Sequence, residues 1–186
     1  DIGDPLAAVH HARTTLMHGH IHSIDTLSYL LGDPNIESVR GELQPGDIKV
    51  EDGCIGEDPY ATYEVAFADG ITGLTVPAGN WEYEVFGTRG SVRSLNNGRG
   101  MVWRQAGTDR FTWDHMPVPD VEPSGWGLNI LLDLVESHET GRTSLGNVDV
   151  THRVTEACLG IVESHKLGGR WVSLPLGYRD QYVFHV

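Results

Sequence analysis

The chain has 186 residues and a formal net charge of −13, and 39% of its residues are hydrophobic. This length suits one domain with a sizeable core, and we assign residues 1–186 to a single domain. The negative charge argues against nucleic acid and membrane surfaces as partners, because both require clusters of Lys and Arg. The sequence contains no apolar run near the length of about 18 residues that a membrane span requires. It shows no basic, apolar leader either, so we expect a cytoplasmic protein.

The first elements in chain order are a strand and a helix. Residues 5–13 are rich in Ala and Val and predict the strand. Apolar residues then recur at helical spacing from Ile21 to Leu31, which predicts a helix from about residue 20 to residue 31. Gly32-Asp33-Pro34 is expected to end it.

The middle of the chain is expected to form a sheet, with strands at residues 36–43, 60–67, 71–76, 91–95, 101–105 and 110–114. Asp69-Gly70 is a strong signal for a type I′ hairpin turn. Residues 81–85 alternate between apolar and acidic side chains, which is typical of a strand with one buried and one solvated face.

After a Pro-rich connector at residues 117–123, two helices are predicted at residues 124–140 and 147–166. The first is expected to turn Ile130, Leu131, Leu134 and Val135 inward, and the second to bury a stripe from Val154 to Val162. Residues 171–174 predict a last strand. This order predicts an α+β fold, in which a large, mostly antiparallel open β-sheet carries helices packed on one face.

The other sheet face must meet solvent, another domain or a second copy of the chain. Several aromatic residues in the predicted strands disfavour a bare face, namely Trp81, Tyr83, Trp103, Phe111 and Trp113. We therefore expect a homodimer or a higher oligomer that forms through the sheet face.

A histidine run, His18, His20 and His22, lies between the first strand and the first helix. In an extended segment all three side chains would point the same way, which suits Zn²⁺. However, the predicted helix start breaks this alternation, and no carboxylate or cysteine is locally arranged as a fourth ligand. We therefore predict no metal and keep the three histidines as the alternative ligand set.

Five segments, in chain order, resemble the C-terminal domain of the Gfo/Idh/MocA oxidoreductase family. They are Ile2–Pro5, His22–Asp25 with Leu30-Leu31-Gly32, Glu57-Asp58 with Phe67–Gly70, Glu84–Ser91, and Glu163-Ser164 with Gly169–Pro175. The resemblance implies the substrate-side domain of an NAD(P)-dependent oxidoreductase that acts on a sugar, a polyol or a related carbinol.

In that family an N-terminal Rossmann domain binds NAD or NADP, and it is missing from this chain. The sequence has no GxGxxG after a strand and no acidic ribose-binding residue about 20 positions further on. We therefore expect no cofactor on this chain and no activity from the fragment alone. The alternatives are a non-catalytic ligand-binding or dimerisation module and, less favoured, a metal-dependent enzyme built on the histidine run.

By the same resemblance, His22 is the candidate catalytic acid or base. Removal of hydride from a carbinol carbon must be matched by removal of a proton from its oxygen, and an imidazole does this near neutral pH. Asp25 lies near the same helix face and is expected to bind a substrate hydroxyl or to orient His22, unless it only stabilises the first helical turn. Arg13 and Thr14, at the end of the first strand, and His18 complete the candidate substrate site. His18 stands where the family often carries Asp, which favours a different proton relay, an unusual substrate or a lost activity.

Overall fold

A computed structural model describes residues 1–109, 111–120, 125–178 and 180–183 of the chain. In this part of the chain three α-helices form, α1 (Ile21–Leu30), α2 (Trp126–Thr140) and α3 (Val148–Lys166), and a π-helical turn (Leu16–His20) leads into α1. The strands are β1 (Pro5–His11), β2 (Ile36–Gln44), β3 (Cys54–Ile55), β4 (Tyr60–Phe67), β5 (Thr72–Val76), β6 (Glu82–Gly87), β7 (Gly90–Leu95), β8 (Gly100–Ala106), β9 (Trp113–Met116), β10 (Val172–Ser173) and β11 (Tyr182–Val183).

Nine of the strands form one sheet in the order β10-β2-β4-β5-β1-β6-β7-β8-β9. Neighbouring strands in it run antiparallel except β1 and β5, which pair in parallel. The other two strands, β3 and β11, form a small parallel sheet. The α+β fold with a large, mostly antiparallel open sheet is therefore confirmed.

The turn between β4 and β5 confirms the hairpin signal in the sequence. Asp69 has a φ of 63° and Gly70 a φ of 76°, as both central residues of a type I′ turn require. Because this turn matches the right-handed twist of the sheet, β4 and β5 pair directly.

The core lies between one face of the sheet and the helices α1 and α3. Helix α3 packs on β2, α1 packs on β1, and the two helices contact each other. The predicted α3 stripe is confirmed, because Val154, Ala157, Cys158, Ile161 and Val162 are all buried. Gly41 on β2 permits the close packing of α3, since a Cβ there would lie 2.8 Å from Ile161 Cγ2.

Helix α2 departs from the prediction. Ile130, Leu131, Leu134 and Val135 are 51–63% exposed, so the expectation that they point inward is wrong for the residues that the structure describes. Their spacing correctly marks an apolar helix face, but spacing cannot say what covers that face.

Strand β6 also differs from the prediction, because its acidic face is not solvated. Glu84 is only 6% exposed. Its carboxylate lies 2.8 Å from Arg104 Nη2 and 3.7 Å from Arg93 Nη1, and it accepts a hydrogen bond from Ser91 at 3.2 Å. The neighbouring strands supply these partners, so the alternation of residues 81–85 places Glu84 in an ion-paired layer rather than in water.

The strand predicted at residues 110–114 forms a few residues further along the chain, as β9, which lies at one edge of the sheet. Arg110 and residues 121–124 lie outside the described residues, and so does part of the predicted connector at 117–123. No helix within the described ranges is both long enough and apolar enough to cross a membrane.

Candidate functional site

The candidate site begins where β1 ends and the chain enters α1. Backbone N–H groups of Met17 and His18 donate to the two carboxylate oxygens of Asp58, each at 2.8 Å. Leu16 N donates to the carbonyl oxygen of Pro59 at 2.8 Å. The N–H groups at a helix start have no partner within the helix, so these contacts from the β3–β4 connection fix its position and direction.

Glycine is required at position 19 in this turn. A Cβ at Gly19 would lie 1.8 Å from Thr14 Oγ1, so no larger residue fits without movement of the chain. The π-helical turn is therefore packed directly against the end of the first strand. Such turns recur at functional sites in other proteins.

Four side chains project from one exposed face of the π-helical turn and α1. His18, His22, Asp25 and Tyr29 follow at intervals of four, three and four residues, and all four are exposed. Residues at this spacing lie above one another on a helix. The structure therefore places three of the five predicted site residues, His18, His22 and Asp25, on one surface.

A groove of about 210 Å³ lies beside this surface, between α1 and the start of α3. It is lined by Ile21, His22, Asp25, Gly146, Val150, Thr151 and Val154. Asn147 caps α3 next to the groove, because its Oδ1 accepts the N–H groups of Asp149 at 3.0 Å and Val150 at 3.3 Å. The groove thus combines an imidazole, a carboxylate and a hydroxyl, which are groups that hydrogen-bond the hydroxyls of a neutral ligand.

The electrostatic environment couples Asp25 to His22. Burial raises the pKa of the Asp25 carboxyl, and Asp33 raises it further, whereas His22 lowers it. Because Asp25 and His22 interact electrostatically, the Asp25 carboxylate lies where it can orient the His22 imidazole.

The third histidine of the run, His20, has a structural position. It is fully buried, its Nε2 lies 2.8 Å from the Ala61 carbonyl oxygen, and its Nδ1 lies 3.2 Å from Ser23 Oγ. Ser23 Oγ in turn lies 2.8 Å from the Tyr63 hydroxyl. Burial lowers the pKa of His20 to about 4, so the ring is neutral at pH 7. We assign the proton to Nε2, because the carbonyl can only accept.

The alternative metal set does not converge. His20 points into the core, whereas His18 and His22 are exposed, because the π-helical turn breaks the alternation of an extended chain. Within the described ranges, no three His, Cys, Asp or Glu side chains are grouped in a way that could hold a metal ion.

Arg13 and Thr14 do not line the groove. The Arg13 guanidinium stacks over the Tyr60 ring, with its central carbon 3.8 Å from the ring centroid. Thr14 packs against Gly19. These two residues border the other side of the π-helical turn, so the structure separates them from the His22–Asp25 groove.

Sequence reasoning missed two parts of the site. The role of Asp58 was not identified, although Glu57-Asp58 is one of the segments that resemble the family. The α3 residues that form the second wall, Val150 and Thr151, gave no signal, because the closeness of α3 to α1 depends on tertiary packing. Only their position at the start of a predicted helix was visible.

Comparison with known families and structures identifies the family and the fold. The family described as "Oxidoreductase family, C-terminal alpha/beta domain", the C-terminal domain of Gfo/Idh/MocA proteins, matches residues 8–174. No curated protein has a significant sequence match to the chain.

Several solved structures share the fold at low sequence identity. An NAD-binding oxidoreductase from Klebsiella pneumoniae has a TM-score of 0.72 and 15% identity, over 94% of this chain and 60% of that protein. An aldose-aldose oxidoreductase from Caulobacter crescentus, complexed with glycerol, has a TM-score of 0.69 and 20% identity, over 93% of this chain and 56% of that one. A levoglucosan dehydrogenase in complex with NADH has a TM-score of 0.66 and 18% identity, over 94% of this chain and 59% of that protein.

The chain therefore spans less than two thirds of the length of these proteins. The family match covers most of the chain, and the three solved structures share its fold. The chain belongs to the Gfo/Idh/MocA oxidoreductase family, as its C-terminal α/β domain.

Proposed function

We propose that the chain is the substrate-side domain of an NAD(P)-dependent oxidoreductase that acts on a sugar, a polyol or a related carbinol. The observation that carries the proposal is His22, which is exposed beside Asp25 in a groove whose polar groups suit a neutral hydroxylated ligand. Neighbours of the same fold include the aldose-aldose oxidoreductase with glycerol and the levoglucosan dehydrogenase with NADH.

In this proposal His22 accepts or returns the proton of the substrate hydroxyl. Asp25 holds the imidazole and stabilises its positive charge after proton transfer, in the manner of an orienting carboxylate. His18, one turn earlier on the same face, lies where it can contact a substrate hydroxyl or His22. Arg13 and Thr14 bind more distant parts of the substrate, because they border the far side of the π-helical turn.

The dinucleotide does not fit the residues described here. The connection from β1 to α1 contains a single glycine, Gly19, and therefore no Gly-rich phosphate loop. We therefore assign NAD or NADP to an N-terminal Rossmann domain outside this chain, and expect the chain alone to be inactive.

The apolar surface of α2 supports a docked domain of this kind. Among the described side chains of α2, six large apolar ones are more than half exposed, namely Leu128, Ile130, Leu131, Leu132, Leu134 and Val135. A helix that is apolar on most of its circumference is normally buried. Exposed Leu145 and Val148 extend this surface to Gly146 and Val150 at the groove, so a domain docked on α2 would also cover His22.

The test is turnover by the intact protein that carries this chain, assayed on a panel of sugars and polyols with NAD⁺ and with NADP⁺. His22→Ala should abolish turnover and leave cofactor affinity unchanged. His115→Ala, at an exposed histidine of β9, is the matched control and should retain activity. An active His22→Ala variant would remove His22 from proton transfer.

The second candidate is a non-catalytic module that binds a ligand and dimerises. His18 favours it, because this histidine replaces the Asp of the resemblance one turn before His22. Tight cofactor binding without turnover on any substrate in the panel would support this reading and refute the oxidoreductase.

Under either function we propose a homodimer that forms through the sheet face opposite α1 and α3. That face combines partly buried apolar residues such as Leu74 and Val102 with the ion-paired layer around Glu84. Leu74→Glu should convert the dimer to a monomer in sedimentation analysis, because the new charge would be buried without a partner. A wild type that sediments as a monomer refutes this assembly.

A further inference from the structure

His10 is a fully buried histidine on β1, and neither of its ring nitrogens has a hydrogen-bond partner among the residues that the structure describes. Buried polar groups are nearly always hydrogen-bonded, because an unpaired one keeps the full cost of losing its contact with water. His10 is not needed to fill an apolar core, since a hydrophobic residue would do so at lower cost. This residue therefore requires a reason beyond packing.

The surroundings of His10 are aromatic and polar rather than aliphatic. The ring centroids of Trp81 and Tyr83 each lie 4.9 Å from that of His10, and the His20 ring lies 5.9 Å away. His20 stacks edge-on with Tyr63 at 5.0 Å. These rings form a layer beneath the start of α1, the helix that carries His22.

Tyr83 connects this layer to the site face of α1. Its side chain hydrogen-bonds those of Thr26 and Trp81, and its pKa is raised by burial and by the charge of Asp25. Thr26 follows Asp25 directly in the sequence. The layer around His10 thus contacts α1, the same helix whose residues His22 and Asp25 line the predicted substrate groove.

Trp81 covers His10 in a strained backbone conformation. Its φ is 56°, in the left-handed region, where a bulky side chain is a genuine outlier and the backbone is strained. Residues 77–80 before it are exposed, and Trp81 itself is half-buried. The cover over His10 is therefore a short exposed turn that ends in a strained tryptophan.

We propose that His10 is the hydrogen-bonding group of a subsite for a hydroxyl of a neutral carbinol ligand, and that Trp81 is the movable wall of this subsite. The inference rests on the proposed function for the class of ligand, but the two can fail separately. The ligand enters when the turn that holds Trp81 moves, and the ring then packs against the apolar C–H face of the ligand.

The chemistry of the cluster selects a hydroxyl. A neutral imidazole offers one N–H donor and one acceptor, and a hydroxyl offers the complementary pair. Burial, together with the neighbouring His20 and His11, lowers the pKa of His10 to about 3, so the ring does not supply a positive charge for an anion at pH 7. A carboxylate would leave the ring acceptor unpaired.

The test uses the intact protein and two neutral probes, glycerol and glucose. Ring ¹⁵N shifts of His10 are followed by NMR during titration, and affinity is measured by calorimetry. A probe that binds should change the ¹⁵N chemical shifts of both ring nitrogens of His10. His10→Phe should weaken its binding by about 3- to 10-fold, the loss of one neutral hydrogen bond. His10→Asn keeps one donor and one acceptor and should bind more tightly than His10→Phe.

Controls separate a binding role from a folding role. His152→Phe, at an exposed histidine, should leave affinity unchanged. The change of tryptophan emission on binding should persist in Trp171→Phe and disappear in Trp81→Phe. If His10→Phe does not fold, His10→Asn and the fluorescence of Trp81 still report on the subsite.

If neither glycerol nor glucose changes the ring ¹⁵N chemical shifts of His10, the proposed subsite is wrong. It is also wrong if the ring is already hydrogen-bonded in the free protein and stays unchanged, because that result indicates a permanent buried water. If turnover depends on His22 but His10→Phe leaves KM unaltered, the proposed oxidoreductase function is supported and the proposed subsite is refuted. If a probe changes the ring ¹⁵N chemical shifts of His10 in a protein that turns over no substrate, the proposed subsite is supported and the proposed oxidoreductase function is refuted.

Discussion

Mild acid should destabilise this chain through two buried histidines. Burial lowers the pKa of His10 to about 3 and that of His20 to about 4, from about 6.5 in an unfolded chain. Between pH 6.5 and pH 4 the unfolded state therefore binds protons that the folded state does not. Stability must then fall as the pH falls through this window.

The magnitude follows from the size of the window. For each group that stays neutral in the folded state, the free energy of unfolding falls by about 1.4 kcal/mol with every pH unit below the pKa of the unfolded chain. Between pH 7 and pH 5, His10 and His20 should each lower the free energy of unfolding by about 2 kcal/mol, which makes about 4 kcal/mol together. This loss is a large share of the 5–15 kcal/mol that is typical of a folded domain.

The assay is urea unfolding at pH 7 and at pH 5 for the wild type and His10→Phe. The variant lacks one of the two groups, so its loss of stability between the two pH values should be smaller by about 2 kcal/mol. His138→Asn, at an exposed histidine of α2, is the control and should follow the wild type. Equal pH dependence in wild type and His10→Phe would contradict this prediction, because it would mean that His10 accepts a proton in the folded state.

Three further changes test the packing around the site and the ion-paired layer. Gly19→Ala should cost about 1–3 kcal/mol in urea unfolding, because the new Cβ would lie 1.8 Å from Thr14 Oγ1, and Thr14→Ala should restore part of the loss. Asp58→Ala should cost about 1 kcal/mol and speed hydrogen exchange at the amides of residues 17 and 18, and unaltered exchange would contradict a capping role. Glu84→Gln should destabilise more than Glu64→Gln, because Glu84 is buried between two arginines, whereas the exposed Arg40–Glu64 pair is worth no more than about 1 kcal/mol. Equal losses would place Glu84 in a solvated environment.

Features of the fold that depend on short spacings could be predicted from the sequence. The buried stripe of α3 from Val154 to Val162 follows from a helical period, and the Asp69-Gly70 turn follows from the φ angles that these residues tolerate. The order of strands and helices, together with five short motifs, was sufficient for the family and the α+β fold. The exposed stripe of His22 and Asp25 follows from the same helical spacing.

Contacts between residues that are distant in the sequence could not be predicted in this way, because they depend on the packing of the folded chain. Asp58 caps a turn about 40 residues away from it, and α3 forms the second wall of the groove, so neither contact leaves a local pattern. Periodicity reports which side of an element is apolar, but not what lies against it, and for this reason α2 was expected in the core and Glu84 in water. His10 and Trp81 meet because β1 pairs with β6, and that pairing is set by the packing of the whole sheet.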